Sequence, residues 1–247
     1  MTDSRTGTLY ALGLGPGDPG LVTMRAVEIL RSGPVVAYPL DADGGPGRAF
    51  RIAEGYLDAD VESLPLHMPM TTDSDALTEA WDAAVSVISR VTEAGRDVAY
   101  ICLGDALLYG SFGYLLSRYS GPVNVVPGVI SPVAAAAALK IPLVEGREPL
   151  TIVPDGGDLA LLEGALALGG TVVIMKPSRL RAEGAALLAR AGALGRAWVL
   201  EDVTLPGQRV YPAGSVDTLT ALPYFSVVTV LAPGRALDRS GKEGEGA

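Results

Sequence analysis

The sequence predicts an α/β fold in two domains, the first on a mostly parallel sheet and the second on a mixed sheet. Three observations carry this. Short apolar runs of β type alternate with runs whose apolar residues recur at helical spacing. That alternation is regular in the first half and less regular in the second, where one extra run can be half of a hairpin. The 247 residues are 49% hydrophobic, enough to bury two cores.

In chain order, Thr8–Leu14 (TLYALGL) reads as a strand and Leu21–Arg31 as a helix, with Leu21, Met24, Val27, Ile29 and Leu30 at helical spacing. Pro34–Tyr38 is a strand, Arg48–Leu57 a helix, and Val61–Leu66 a short strand. Ser74–Ala94 is a long helix with Leu77, Trp81, Val85, Ile88 and Val91 on one side. Asp97–Leu103 is a buried strand, Tyr109–Arg118 a helix, and Val123–Val126 a strand. In the second half, strands are expected at Pro149–Val153, Thr171–Met175, Ala197–Glu201 and Phe225–Leu231, and helices at Leu159–Leu168 and Leu180–Ala191. Gln208–Pro212 is a strand or half of a hairpin. Gly and Pro at Tyr119–Pro122 suggest domains over 1–120 and 121–237, with a polar, disordered tail over 238–247.

Composition excludes several function classes. The net charge of −9 argues against non-specific nucleic-acid binding, which needs a basic face. No apolar run approaches a membrane span, and no basic segment leads into a long apolar one at the start of the sequence. One cysteine, Cys102, allows no intrachain disulfide and fits a cytoplasmic protein. One histidine, His67, leaves little for a His/Cys metal site, and a Ser-His-Asp triad would have to run through it with no nucleophile motif in sight. No metal is expected. His67 reads as an ordinary loop or strand-end side chain, and Cys102 as a buried strand residue.

Three loops follow strands. The first, Gly13–Pro19 (GLGPGDP), starts like a dinucleotide fingerprint and then departs from it. The third glycine of G-x-G-x-x-G is Asp18, whose carboxylate competes with phosphate for the same amides. Pro16 and Pro19 remove two N–H donors. Asp18-Pro19 suits an N-cap and first turn instead. The second loop is Leu103-Gly104-Asp105-Ala106 and the third is Pro127-Gly128-Val129-Ile130-Ser131. Glycine turns at successive strand ends, with few charges, suit an apolar-aromatic ligand held by a few backbone hydrogen bonds. A tight turn with no ligand remains the plain alternative for the first loop.

With these segments in view the chain resembles the tetrapyrrole methylases, the class III methyltransferases. The resemblance runs from about Leu9 to Val230. It is carried by LYALGLGPGDPGLVTMRAVEILRSGPVVAYP, YICLGDALLYGSFGYLLSR, VVPGVISPVAAAAALKIPLVEG, VVIMKPSR, LEDVTLPGQRVYP and PYFSVVTV. Pro69–Thr71, Tyr109–Leu116 and Pro223–Ser226 are most similar to the branch that methylates carbon 20 of precorrin-2 in cobalamin synthesis, giving precorrin-3A.

The resemblance implies a cleft between two α/β domains, a homodimer, and S-adenosylmethionine as cofactor. By position it implies cofactor contacts from Pro16, Gly104, Asp105, Leu108, Ile130, Ser131, Met175, Val203 and Ser226. Asp105 would face the methionine end or the ribose, and Met175 and Val203 the adenine. It implies a tetrapyrrole, precorrin-2, near Asp18, Tyr38, Pro39, Met70 and Tyr109. The sequence departs from the family pattern at Ala106, where a proline is common, at Ile130, where a small hydroxyl residue is usual, and at His67-Met68, where an aromatic often stands.

A sulfonium methyl is already an activated electrophile, so transfer needs alignment more than acid-base power, and alignment can supply ~7–11 kcal/mol. If a base completes proton loss, Asp18, Asp105, Tyr109 or water are available; Asp18 reads equally as an N-cap and Tyr109 as a packed side chain. The substrate's carboxylates need local cations, with Arg25, Arg48, Arg51, Arg147, Lys176 and Arg179 as candidates, each also an ordinary surface residue. The competing functions are methylation at another precorrin position, of cobalt-precorrin-2 or of a protein residue, a dinucleotide-dependent oxidoreductase, and a non-catalytic binding protein.

Overall fold

The computed structural model describes residues 5–69, 71 and 73–235. They form two compact units that divide between Ser131 and Pro132. This is later than the punctuation at Tyr119–Pro122 suggests, because the strand at Val123–Val126 hydrogen-bonds into the first sheet. The expected tail over 238–247 lies outside the described residues.

The first unit contains β1 (Leu9–Gly13), α1 (Met24–Arg31), β2 (Val35–Pro39), α2 (Arg48–Ala53), β3 (Ser63–Leu66), α3 (Ser74–Glu93), β4 (Val98–Cys102), α4 (Phe112–Leu116) and β5 (Val123–Val126). The strands lie in the order β3-β2-β4-β1-β5, and every pairing is parallel. A parallel sheet must be covered on both faces. α3 and α4 cover one, packing Ile88, Phe112 and Leu115 on Leu9, Val35, Val98 and Tyr100. α1 and α2 cover the other, packing Ile29, Leu30 and Ile52 on Leu12, Val36 and Ile101. The helix ends follow local chemistry: Thr23 and Asp73 cap α1 and α3, and Gly33 and Gly95 take the left-handed positions just beyond them.

The second unit holds α5 (Ser131–Leu139), β6 (Leu150–Val153), α6 (Leu159–Ala167), β7 (Thr171–Met175), α7 (Arg181–Arg190), β8 (Ala197–Glu201), β9 (Arg209–Pro212), α8 (Val216–Leu219) and β10 (Ser226–Val230). Its order is β6-β7-β10-β8-β9. β6 and β7 are parallel, whereas β10 is antiparallel to β7 and β8, and β8 to β9. The sheet is therefore mixed, as expected, and β9 is the hairpin partner of β8. One face packs Val172, Ile174, Val199, Val228 and Val230 against α6, α7 and α8.

Two expectations are corrected, and two helices were not foreseen. The α1 helix starts at Met24, since Pro19–Leu21 is a separate 3-10 turn. α4 is confined to Phe112–Leu116, because Tyr109 takes a left-handed φ of 53° and so cannot continue a helix. α5 and α8 carry no sequence periodicity that announces them: α5 is largely a run of alanines buried on several sides, and α8 is only four residues long.

Candidate active-site edges

In a parallel sheet all C-terminal strand ends lie along one edge, and ligands bind there. In the first unit this edge carries the loops after β1, β4 and β5, together with Tyr38-Pro39 at the end of β2 and His67-Met68-Pro69 after β3.

The three glycine loops interlock. Gly15 and Gly104 exchange backbone hydrogen bonds, Gly15 N–H to Gly104 O at 3.1 Å and Gly104 N–H to Gly15 O at 2.8 Å. Gly128 approaches so closely that a Cβ on it would stand 2.1 Å from Gly104 O and 2.6 Å from the carbonyl carbon of Gly13. Asp105 fastens the set: its Oδ1 accepts the Leu107 N–H at 2.8 Å and its Oδ2 the Gly128 N–H at 2.9 Å. Gly104 itself has φ +70°, and a Cβ there would meet nothing within 4 Å, so its outer side is open.

The first-unit residues named from the sequence can now be placed, apart from Met70. Pro16 is buried in the proline loop. Gly104, Asp105 and Leu108 share the second loop, half-buried, and Ile130 and Ser131 stand half-buried at the entry to α5. Asp18 is exposed and caps the 3-10 turn, its Oδ1 accepting the Gly20 N–H at 2.8 Å. The capping role expected for it is therefore present, on a shorter helix than expected. Tyr56, not foreseen from the sequence, donates its hydroxyl to Pro19 O at 2.7 Å and so ties the end of the proline loop. Tyr38 is buried against Phe50, ring centroids 4.4 Å apart, with Pro39 half-buried after it. Tyr109 is 48% exposed and not a core side chain. Met70 lies outside the described residues. His67 is exposed just after β3, a strand-end side chain as expected.

Beneath this edge Cys102 ends β4, and burial, followed by the charge of Asp105, pushes its thiol up to about 12. Tyr100 is also raised, chiefly by burial, and its hydroxyl pairs with Ser111 Oγ at 2.7 Å. Neither group serves as a base near neutral pH.

In the second unit β6, β7 and β8 end on the same edge where β10 begins. Register places Val227 opposite Met175 and Ser226 opposite Glu201. Met175, Val203 and Ser226, three residues far apart in sequence, are thereby brought to one edge. Three non-glycine residues of this edge have left-handed φ: Lys176 (49°), Asp202 (46°) and Thr204 (71°). Such residues cost ~1–3 kcal/mol each and collect where a ligand is handled. Val203 and Ser226 are buried, and among the described residues the Ser226 hydroxyl has no hydrogen-bond partner.

Sequence reasoning missed Glu201, Arg209 and Tyr211. Glu201 is 4% exposed and is paired with Arg209 and with the Tyr211 hydroxyl. The available signal was an acid closing an otherwise apolar strand, followed by an R-x-Y at period two on its hairpin partner.

The candidate cations divide. Arg25 pairs with Glu28 at 3.1 Å, Arg51 with Asp41 at 3.7 Å and Arg179 with Asp155 at 2.7 Å, so a ligand carboxylate must compete for each. Asp155 lies below the usual carboxylate range: burial raises it, but the Gly157 N–H, Arg179 and Lys176 together outweigh that. Among the described residues no group of three His, Cys, Asp or Glu side chains is placed to hold a metal, and no helix is long and apolar enough to cross a membrane.

Residues 8–220 match the sequence signature of the tetrapyrrole (corrin/porphyrin) methylases. The chain belongs to that family. It is 36% identical over 227 residues to a cobalt-precorrin-2 C(20)-methyltransferase of Salmonella typhimurium, covering 91% of this methylase and 96% of the relative. It is 34% identical over 241 residues to a precorrin-2 C(20)-methyltransferase of a Sinorhizobium species, covering 93% and 97%. Among solved structures, a cobalt-precorrin-4 methyltransferase superposes with a TM-score of 0.70 at 21% identity, over 91% of this chain and 94% of that one. A Thermus thermophilus uroporphyrin-III C-methyltransferase complexed with S-adenosylhomocysteine superposes with a TM-score of 0.65 at 22% identity, over 91% and 92%. At those identities the structures speak for the fold.

Proposed function

We propose that this methylase transfers the methyl group of S-adenosylmethionine to carbon 20 of precorrin-2, giving precorrin-3A, in cobalamin biosynthesis. The family supplies the reaction class, and the two full-length C(20)-methyltransferase relatives supply the ring position. The observation that carries the cofactor reading is the buried, unpartnered hydroxyl of Ser226 beside the strained Asp202–Thr204 segment. A buried polar group without a partner costs about 1–3 kcal/mol, and a ligand heteroatom removes that cost.

When bound, S-adenosylmethionine supplies an activated methyl on a sulfonium. The chain's own residues bind and align. Gly104, with its open outer side, admits a ligand against its backbone. Pro16, Asp105, Leu108, Ile130 and Ser131 complete the contacts from the first unit. Met175 and Val203 give apolar surface for the adenine, and Ser226 a hydroxyl. Asp18, Tyr38, Pro39 and Tyr109 face the tetrapyrrole. The nucleophile is an electron-rich ring carbon, so alignment does most of the work. Exposed Asp18, exposed Tyr109 or water takes the proton. The methylase works as a homodimer in the cytoplasm.

Calorimetry with S-adenosylhomocysteine and with NAD tests the cofactor: micromolar affinity for the first and none for the second is expected, and the reverse sinks the reading. Mass and NMR analysis of the product from precorrin-2 then tests the position, and a methyl elsewhere than carbon 20 rejects it. Cobalt-precorrin-2 is the second substrate to try, because a 36% identical relative carries that name. Gel filtration with light scattering tests the dimer.

A further inference from the structure

Glu201 closes β8, a strand otherwise made of Ala, Trp, Val and Leu, and is almost fully buried. A carboxylate so placed persists only with charge and hydrogen bonds around it. Both come from β9. Arg209, its register partner, forms an ion pair with Oε2, and the Tyr211 hydroxyl donates to Oε1. Burial first, and then the bond to Glu201, push Tyr211 up to about 12, so its hydroxyl stays protonated and able to donate.

The residues immediately beyond Glu201 are the left-handed Asp202 and Thr204 with Val203 between them. The loop from 202 to 208 is braced inside by Thr204 N–H to Gln208 Oε1 at 2.8 Å and Leu205 N–H to Asp202 O at 2.9 Å. It is tied to the start of β10 by Asp202 N–H to Phe225 O at 2.9 Å. Its neck is the Glu201–Arg209 pair, and across the sheet from Glu201 stands Ser226.

We infer that Glu201 is a positioning residue: its buried carboxylate, held by the exposed Arg209 and the half-buried Tyr211, clamps the neck of the 202–208 loop and so holds Val203 and Ser226 where the sulfonium cofactor is bound. This rests on the functional reading above. Glu201 acts through the backbone it fixes and touches no reacting atom. The Gln variant keeps the shape but loses the charge that Arg209 answers, so the neck loosens while the β8 strand remains.

The test uses the full chain with Glu201→Gln and Tyr211→Phe, titrated with S-adenosylhomocysteine and assayed for methyl transfer. Glu201→Gln is expected to raise the Kd for S-adenosylhomocysteine and the KM for S-adenosylmethionine about tenfold, while the KM for precorrin-2 and kcat at saturating cofactor stay within about threefold. Tyr211→Phe moves the same constants less. Parental cofactor affinity in a folded Glu201→Gln protein overturns the inference, as does an equal loss in every constant that follows the folded fraction. Should Glu201→Gln not fold, Tyr211→Phe and Arg209→Met decide: weakened cofactor binding in either upholds the inference, and parental affinity in both overturns it. A parent chain that binds no S-adenosylhomocysteine overturns the functional reading instead.

Discussion

The Oδ2 of Asp105 accepts the backbone N–H of Gly128 at 2.9 Å, a bond that spans 23 residues and joins the loop after β4 to the loop after β5. With Oδ1 on the Leu107 N–H, the carboxylate serves two donors and offers none. Asp105→Asn must turn its NH2 toward one of them. The variant is expected to lose about 1–3 kcal/mol, several degrees in Tm, and to bind S-adenosylhomocysteine more weakly. Differential scanning fluorimetry and calorimetry together read the role. An unchanged Tm with weakened binding would make Asp105 a ligand contact and not a fastener.

The contrast between two glycines of the same site is sharper. Gly128→Ala drives a Cβ to 2.1 Å from Gly104 O, backbone against backbone, and nothing there can swing away. Gly104→Ala meets no atom within 4 Å and bears only the left-handed penalty of its φ of +70°, ~1–2 kcal/mol. Gly128→Ala is therefore expected to be insoluble or to melt well below Gly104→Ala, which folds but fills the open side of the site and lowers cofactor affinity. Equal Tm values for the two would contradict the interlock.

Much of this was legible because one pattern, strand then glycine loop, recurs. The parallel order of the first sheet follows from β-α alternation, and with it the gathering of Pro16, Gly104 and Ile130 on one edge. Asp18 announced its capping role through the proline after it. The second unit was less legible. Met175, Val203 and Ser226 are brought together by antiparallel register around β10, and no local pattern states which strands will pair. Asp105 showed itself as a polar residue at a strand end, but which amides its two oxygens take depends on the fold of a loop elsewhere in the chain. Tyr56 carried no signal at all, because its partner is a backbone carbonyl.

Tyr56→Phe isolates that carbonyl contact. The ring keeps its packing while Pro19 O loses the hydroxyl at 2.7 Å, a change of about 0.5–1.5 kcal/mol. In the proposed function Asp18, beside Pro19, faces the tetrapyrrole while Pro16 of the same loop touches the cofactor, so the KM for precorrin-2 should rise severalfold and by more than the KM for S-adenosylmethionine. Steady-state kinetics varying each substrate checks it; a rise in the KM for S-adenosylmethionine alone would place the loop's role on the cofactor.

Alkaline stability follows from three groups that hold their protons in the fold, Cys102, Tyr211 and the buried Tyr100, whose hydroxyl burial also raises. Cys102 goes from 9.0 to about 12, and Tyr211 from 10.0 to about 12, both chiefly through burial. The unfolded chain sheds these protons first, so their contribution is fully present below pH 9 and is lost as pH rises toward 12. Urea unfolding should show a free energy that does not respond to these groups at neutral pH and falls above pH 9. Cys102→Ala should flatten the first part of that fall. By the same burial, Cys102 should resist iodoacetamide at pH 8 in the native protein, read by intact mass; rapid alkylation would show that the end of β4 is open.

Ser226 gives a test in which stability and binding move in opposite directions. Its hydroxyl is buried at the first position of β10 and finds no partner among the described residues. Ser226→Ala removes that unsatisfied group and keeps the strand, whose register with Glu201 is set by backbone hydrogen bonds. Without ligand, the variant should be as stable as the parent or more stable by about 1 kcal/mol. With S-adenosylhomocysteine present the order reverses, because the parent gains a hydrogen bond that the variant cannot make, and Kd should rise about five- to tenfold. Thermal melts with and without the ligand read both effects in one experiment, since bound ligand raises Tm more the tighter it binds. A variant that loses stability in the apo state and keeps its full ligand-induced shift would mean that the hydroxyl serves the fold alone.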